Sequence, residues 1–388
     1  MTTIRELFLL DPDVVFLNHG SFGATPLPVF EVYQAWQRRL ERQPVKFLIR
    51  ELTDRFRVAR QALGGYLHAD ADDLVYVPNA TVGVNIVARS LALGPGDEVL
   101  TSDHEYGACN NAWECVCGKA GASYLHQPIP LPVRSAEEIA DQFWQGVTPR
   151  TRAIFLSHIT SPTALRLPVE TICRRARQAG ILTCVDGAHA PGQIPLDMEA
   201  VGADFYAGNC HKWLMAPKGA GFLYTRRDRQ SLIESLVVSW GWKDDGLFTS
   251  GSRYVDRLEW SGTRDPAAAL SVPAAIQFQA EHDWGSVRAG CRELARQALL
   301  RIHELTGLPS LYPPDAGFYQ QMVTAPLPAI ADLPGFKARL YDEYRIEVPC
   351  LSWNEHQFIR ISVQGYNTQE DIDALLQALE RVLPQATG

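Results

Sequence analysis

The sequence lacks a long hydrophobic run, an excess of basic residues and a cysteine cluster. No apolar stretch approaches the roughly 18 residues of a membrane span, so no membrane partner is expected. With 36 basic and 44 acidic residues the formal net charge is −8, which argues against nucleic-acid binding. The eight cysteines are scattered, and Cys115 and Cys117 lack the spacing of common zinc or redox motifs. They predict reduced thiols in a cytosolic protein, with no metal site.

The N-terminus also lacks the pattern of a secretory signal. Arg5 is followed by Glu6 and Asp11, and no small-residue cleavage site is present, so we expect a cytoplasmic protein. The 388 residues, 46% hydrophobic and 21% charged, are those of an ordinary globular protein of two or three domains. No internal repeat or low-complexity linker divides them.

The stretch from Ala203 to Tyr224 carries the first chemical signal. It predicts a strand, a polar turn, a glycine-rich turn and a second strand, with Lys212 in the polar turn. A lysine between two buried strands is unusual unless it is paired or reactive. One chemical reason to place it there is a Schiff base with a carbonyl cofactor.

A second strand supplies the partner that such a lysine needs. Residues 182–186 form a short apolar run that ends in Asp186, 26 positions before Lys212. Ligands of open α/β sheets bind at the carboxyl ends of the strands. Pyridoxal 5'-phosphate (PLP) needs an acidic side chain at its pyridine nitrogen, because the protonated ring withdraws electrons. Asp186 fits that role.

A third strand leads into a predicted anion site. Residues 73–78 form the strand, and a helix begins after Asn79. Free amide groups, the helix dipole and a hydroxyl converge at such a helix start, which favours a phosphate on Ala80, Thr81 and Val82. The alternative is that Asn79 only caps the helix.

Two motifs show a family resemblance. Val185-Asp-Gly-Ala-His-Ala-Pro-Gly192 and Ala203-Asp-Phe-Tyr-Ala-Gly-Asn-Cys-His-Lys-Trp213 resemble class V, fold-type I PLP-dependent enzymes, and most of all the isopenicillin N epimerase-like group. Cysteine/cystine C–S lyases and cysteine desulfurases are more distant. The likeness extends from Leu17 to Asn367, and it is more specific for fold and cofactor than for the reaction.

The resemblance implies an α/β fold with two domains. An N-terminal arm, residues 1–17, would join the small domain. Residues 18–266 would form the PLP-binding large domain around a mostly parallel seven-stranded-type sheet. Residues 267–388 would form a smaller α+β C-terminal domain.

The resemblance also implies contacts to the cofactor ring. Tyr106 would stack on the ring, with His104 as the alternative. His189 stands where relatives carry Gln or His near the ring hydroxyl. Ser161 stands near the ring oxygen, where relatives often carry Asn.

Further contacts implied by the resemblance concern the phosphate and the substrate. Asn209 and His211 match polar phosphate-binding positions. Gly262 and Thr263 would reach the phosphate of a second subunit, which implies a homodimer with shared active sites. Gly20 would line the substrate side, and Arg360 would pair with the α-carboxylate of an amino acid or small peptide.

The implied chemistry begins at the substrate Cα. Lys212 would hold PLP covalently and then act as a base, while Asp186 supports the ring. Epimerisation through a quinonoid is the predicted outcome, and it needs a second acid such as Tyr106 or a histidine. The alternatives are a Cβ–S lyase or, less favoured, a desulfurase, aminotransferase or decarboxylase. A desulfurase would need a mobile cysteine, for which Cys350 is the candidate.

Overall fold

The computed structural model describes residues 3–243, 249–314 and 316–386. The first two residues of the predicted arm, and residues 315, 387 and 388 of the predicted small domain, lie outside that range. The strands are β1 Val15–Phe16, β2 Leu74–Val77, β3 Glu98–Ser102, β4 Ser123–Gln127, β5 Thr151–Ser157, β6 Leu182–Gly187, β7 Phe205–Asn209, β8 Gly221–Thr225, β9 Met322–Leu327, β10 Ile346–Glu347, β11 Cys350–Trp353 and β12 His356–Ser362.

The helices connect and cover these strands. They are α1 His19–Phe22, α2 Leu27–Arg42, α3 Leu52–Leu67, α4 Ala80–Ser90, α5 Gly107–Ala120, α6 Ala136–Trp144, α7 Val169–Ala179, α8 Met198–Val201, α9 Arg253–Glu259, α10 Ala267–Leu270, α11 Val272–Glu281, α12 Trp284–Thr306, α13 Leu333–Asp342 and α14 Gln369–Ala386. Within the described ranges, none of them is both long and apolar enough to cross a bilayer.

A seven-stranded sheet forms the centre of the molecule, in the order β2-β8-β7-β6-β5-β3-β4. Strands β3 to β7 pair in parallel, and β8 runs antiparallel to both β7 and β2. Alternate residues enter different cores: Phe205 and Ala207 of β7 pack into one, Tyr206 into the other. Both faces are therefore covered, which explains why these strands read as continuous apolar runs.

The C-terminal part carries a separate antiparallel sheet in the order β11-β12-β9. Helix α12 packs on β9, and α14 packs on α12 and α13. The N-terminal strand β1 pairs in parallel with β10, so the N-terminal segment packs against the C-terminal part of the chain. The division of the chain at residue 267 stays a prediction, and helices α10 and α11 pack against α2 and α3 rather than against this sheet.

The sequence favours one long helix over residues 28–67, by its hydrophobic period, and another over residues 267 to about 305, but both are interrupted. The predicted helix from Ala267 to about Leu305 is three helices, because Pro273 starts a new helix and Asp283 adopts a left-handed φ of 45°. The predicted helix from Pro28 to Leu67 ends at Arg42, two residues before Pro44, and resumes through a π-helical turn.

Candidate active site

A cavity of about 200 Å³ lies at the carboxyl ends of β5, β6 and β7. This is the edge of the sheet where parallel α/β proteins bind ligands. Its lining comprises Ser21, Phe22, Asn79, Ala80, Thr81, Tyr106, Ser157, Ile159, Ser161, Asp186, Ala188, His189, Asn209, His211 and Lys212.

Lys212 lies in the turn between β7 and β8, and its Nζ is 3.1 Å from Nε2 of His189. Removal from bulk water, with the nearby charge of Arg360, lowers the pKa of Lys212 to about 8, although Asp186 opposes the change. About a tenth of the lysine is therefore a free amine at pH 7, far more than for a lysine of ordinary pKa, and a nucleophilic or basic lysine acts in this form.

Asp186 lies near the carboxyl end of strand β6 and is only 3% exposed. Its Oδ1 accepts the Ala188 amide at 2.8 Å, and its Oδ2 accepts the Cys109 thiol at 3.4 Å. Burial raises the pKa of Asp186, and the Ala188 amide and Lys212 act in the opposite direction. With one amide and one weak thiol donor, the carboxylate keeps capacity for a further N–H donor.

Glu105 is a second buried carboxyl group behind the cavity, and the sequence reasoning missed it. Its Oε2 accepts the amide and hydroxyl of Ser157 at 2.7 and 2.5 Å, and its Oε1 accepts the Ser102 hydroxyl at 2.6 Å. Ser157 lies opposite Asp186 in the sheet. Burial raises the pKa of Glu105 to about 7, and the charge of Asp186 adds to that effect. The only sequence signal was an acidic residue three positions after the end of a strand.

The start of α4 lies in the cavity as the sequence predicts, but two of the three predicted amides already have partners. Asn209 Oδ1 accepts the Ala80 amide at 2.8 Å, and Asn79 Oδ1 caps the helix at the Val82 amide at 3.0 Å. Thr81 lines the cavity, and within the described residues its amide and hydroxyl have no hydrogen-bond partner. Thr81 therefore presents the free donors of this helix start.

His211 lines the same end of the cavity. Its Nδ1 donates to the Ala220 carbonyl at 3.2 Å, which leaves Nε2 for another contact. Burial lowers the pKa of His211 to about 4, so the ring is neutral at pH 7. Close packing shapes this corner: a Cβ on Gly221 would lie 2.7 Å from Cα of Asn79.

The two candidates for ring stacking occupy different environments. Tyr106 caps α5, lines the cavity and is 47% exposed. His104 is fully buried, contacts the Thr163 hydroxyl and the Ile129 carbonyl, and packs on Trp353 at a ring distance of 4.3 Å. Only Tyr106 lies where it could meet a ligand, so the stacking role is assigned to Tyr106 as a proposal.

Arg360, on β12, lies directly behind two lining residues. Its Nη1 donates to both the carbonyl and the hydroxyl oxygen of Ser161, and its Nη2 donates to the Ser21 hydroxyl at 3.1 Å. Among the described residues, the buried Nε has no partner. Burial lowers the pKa of Arg360 to about 10, so it remains a cation at pH 7. A buried cation with an unused donor suits an incoming carboxylate.

Five predicted positions lie outside the lining of this chain's own cavity: Val82 and Arg360, described above, and Gly20, Gly262 and Thr263. Gly20 is buried in α1, where a Cβ would lie 2.8 Å from Met322 Sδ and from Ser362 Oγ. Its neighbours Ser21 and Phe22 line the cavity instead, and the sequence reasoning missed both. Gly262 is partly exposed and Thr263 is exposed. Their role toward a second subunit stays a prediction.

The donor set fits PLP. A partly buried lysine of lowered pKa, a buried carboxylate with spare acceptor capacity and a helix start with free donors meet in one cavity. These are the groups that an aldehyde, a ring nitrogen and a phosphate require.

Fold and site together define a PLP-dependent enzyme of fold type I. The aminotransferase class-V family matches residues 25–375, and the chain belongs to that family.

Within the family, the chain is 39% identical to isopenicillin N epimerase of Amycolatopsis lactamdurans, over 97% of each chain. It is 29% identical to a probable chloroplastic L-cysteine desulfhydrase of Arabidopsis thaliana, covering 95% of this chain and 83% of the other. Among solved structures, the cystine C–S lyase C-DES, with glycine covalently linked to its PLP cofactor, superimposes with a TM-score of 0.82 at 23% identity, covering 98% of this chain and 100% of the other. The predicted family, fold class and enzyme class are confirmed.

Proposed function

We propose that this protein is a PLP-dependent epimerase that acts at the Cα of an amino acid or small peptide. The observation that carries the proposal is the shared cavity of Lys212 and Asp186, with Arg360 behind its wall. The identity of 39% to an isopenicillin N epimerase supports the reaction type.

Each residue has a distinct part in the proposed chemistry. Bound PLP supplies an electron sink that stabilises negative charge at Cα. Lys212 holds the cofactor and, when released, takes the Cα proton on its Nζ. Asp186 keeps a proton on the ring nitrogen, and Arg360 orients the substrate through its carboxylate.

Epimerisation needs a second group that returns a proton from the opposite face. Tyr106 supports this role because its exposed phenol lines the cavity, whereas His104 and His158 are buried and bonded elsewhere. Tyr106→Phe is expected to retain exchange of the Cα proton in D₂O while losing inversion. If inversion persists at the wild-type rate, another group donates the proton.

A Cβ–S lyase is the second candidate, supported by the cysteine desulfhydrase relative. A desulfurase fits less well: Cys350 lies in strand β11, and burial raises the pKa of its thiol to about 12, so it is a poor nucleophile there.

A homodimer in the cytoplasm is part of the proposal. Phe22 is 73% exposed at the cavity, and Val45, Val58 and Trp240 are also exposed to 58% or more, which supports burial against a second copy. Sedimentation of the purified protein tests this assembly.

The central test combines trapping with product analysis. Borohydride reduction of the purified protein should fix the cofactor on the peptide that contains Lys212, and Lys212→Ala should lose both turnover and the colour that comes from the absorption band of the lysine aldimine. Incubation with candidate amino acids in D₂O then separates the reactions. Cα exchange with racemisation indicates an epimerase, and release of pyruvate and a thiol indicates a lyase. A Lys212→Ala variant that keeps both colour and turnover contradicts the site.

A further inference from the structure

His189 bridges two residues that are adjacent in the chain. Its Nδ1 lies 3.3 Å from the indole Nε1 of Trp213, and its Nε2 lies 3.1 Å from Nζ of Lys212. His189 is 3% exposed and Trp213 is fully buried, so water does not compete for the first contact.

The indole fixes the proton on the imidazole ring. An indole N–H can only donate a hydrogen bond, so Nδ1 of His189 must carry a lone pair. Burial holds the pKa of His189 well below its usual value, so the ring is neutral. A neutral imidazole carries one proton, which is therefore on Nε2.

The same reasoning identifies the form of the lysine that this contact favours. Nε2–H of His189 donates toward Nζ of Lys212, and only an unprotonated amine has a lone pair to accept it. An ammonium group would place two donors face to face. The other charged or titratable groups acting on Lys212 are Arg360, Asp186 and Cys109; His211 and His19 also act on His189.

We propose that Trp213 is a positioning residue that locks His189 as the Nε2–H tautomer and thereby favours the free-amine form of Lys212, the form that condenses with an aldehyde cofactor. This inference rests on the proposed function and deepens it. In the condensation the amine lone pair forms the new bond to the aldehyde carbon, the amine protons leave, and the carbonyl oxygen departs as water. The protonated lysine cannot begin this step because it has no lone pair.

The test removes the indole N–H and little else. In the full-length, cofactor-free protein, Trp213 is replaced by Phe, and separately by benzothienylalanine, which has sulfur in place of N–H and nearly the same shape. The second variant keeps the test valid if Trp213→Phe folds poorly. Trp284→Phe is the matched control, because Trp284 is also buried and its indole N–H has no hydrogen-bond partner among the described residues.

Two readouts are independent of turnover. Nitrogen NMR of labelled histidine reports which ring nitrogen of His189 carries the proton, and the His189→Gln variant assigns the signal. The rate at which added PLP is captured, followed by absorbance against pH, reports the fraction of Lys212 that is a free amine.

The wild type and Trp284→Phe should show protonated Nε2 and capture PLP with a midpoint near the pKa of Lys212, about 8. Without the indole N–H, His189 can adopt the Nδ1–H tautomer. Its Nε2 then accepts a hydrogen bond from the ammonium form of Lys212. The midpoint should then rise by about one unit, a roughly tenfold loss of capture rate at pH 7. A proton on Nδ1 in the wild type, or an unchanged midpoint in both Trp213 variants, overturns the inference. A wild type that never captures PLP overturns the proposed function instead.

Discussion

The Ser161 residue binds Arg360 twice: its carbonyl and hydroxyl oxygens accept from the same Nη1 at 2.8 and 3.0 Å. The two contacts fix the guanidinium at the edge of the cavity while its Nε remains free within the described residues. Ser161 was expected near the cofactor ring, and its position in the cavity lining does not exclude that contact. Its observed partner, however, is the predicted substrate-binding arginine.

Ser161→Ala removes the hydroxyl contact and leaves the carbonyl contact in place. We expect KM for the amino-acid substrate to rise by about 2- to 10-fold with little change in kcat, because one hydrogen bond that positions the arginine is lost. Arg360→Lys should raise KM further, since the planar fork itself is lost. Equal KM values for wild type and Ser161→Ala would show that the carbonyl alone fixes Arg360.

Lys212→Met should stabilise the cofactor-free protein at pH 7. The folded protein holds the pKa of Lys212 at about 8, below the usual lysine value of 10.5, so it binds fewer protons than the unfolded chain between these values. Wild-type stability therefore rises with pH across that window. At pH 7 the free energy of unfolding of the Met variant should exceed that of the wild type by on the order of 2 kcal/mol, a value that already allows for partial solvent access to Lys212. This difference should shrink above pH 8. Urea unfolding at several pH values measures it. Lys119→Met, at an exposed position, should show no such trend, and a pH-independent gain for Lys212→Met would contradict the lowered pKa.

Glu105→Gln should show the opposite dependence on pH. The pKa of Glu105 is raised from 4.5 to about 7, so its protonated form favours folding at low pH and that contribution is lost as pH rises through 7. As the pH rises from 4.5 to 7, the free energy of unfolding of the wild type should fall by on the order of 3 kcal/mol relative to that of the Gln variant. The check is the difference in free energy of unfolding at pH 5 and pH 8. A difference that stays constant would mean that Glu105 titrates normally.

Gly23→Ala should damage the site through its backbone. Gly23 has a φ of +71°, and a Cβ there would lie 2.0 Å from the His211 carbonyl oxygen and 3.0 Å from Cα of Lys212. Gly180→Ala is the control for a positive φ in open space: its φ is +70° and nothing lies near the added carbon, although its ψ of 22° differs from the 164° of Gly23. The control should cost about 1 kcal/mol for the left-handed conformation, and Gly23→Ala should cost at least about 2 kcal/mol more. Calorimetry compares the two; equal losses would show that the turn simply moves aside.

Sequence reasoning located the parts of the site that local signals mark. Lys212 and Asp186 each follow an apolar strand, and parallel strands bring their carboxyl ends to one edge. The cavity gathers both, together with Thr81 from a third strand–helix junction. Family, fold class, enzyme class and cofactor could all be predicted from these junctions and the motifs around them.

The missed features depend on contacts between distant segments. Glu105 is buried because Ser157, 52 residues later, offers it an amide and a hydroxyl. Arg360 finds its partner Ser161 at a separation of 199 residues. No local pattern encodes such pairs. The interrupted helices had a local signal in Pro44 and Pro273, but the apolar period on either side suggested continuity.

The pairing of β1 with β10, and the reach of Arg360 back to Ser21, have a consequence for synthesis on the ribosome. The central sheet is complete once β8 has been made, yet the proposed substrate-binding side of the cavity cannot form until residue 360 leaves the exit tunnel and Arg360 meets Ser21. A nascent chain arrested shortly after residue 266 would thus hold Lys212 and Asp186 in place without Arg360. During translation, binding of PLP should therefore precede formation of the proposed substrate-binding contact.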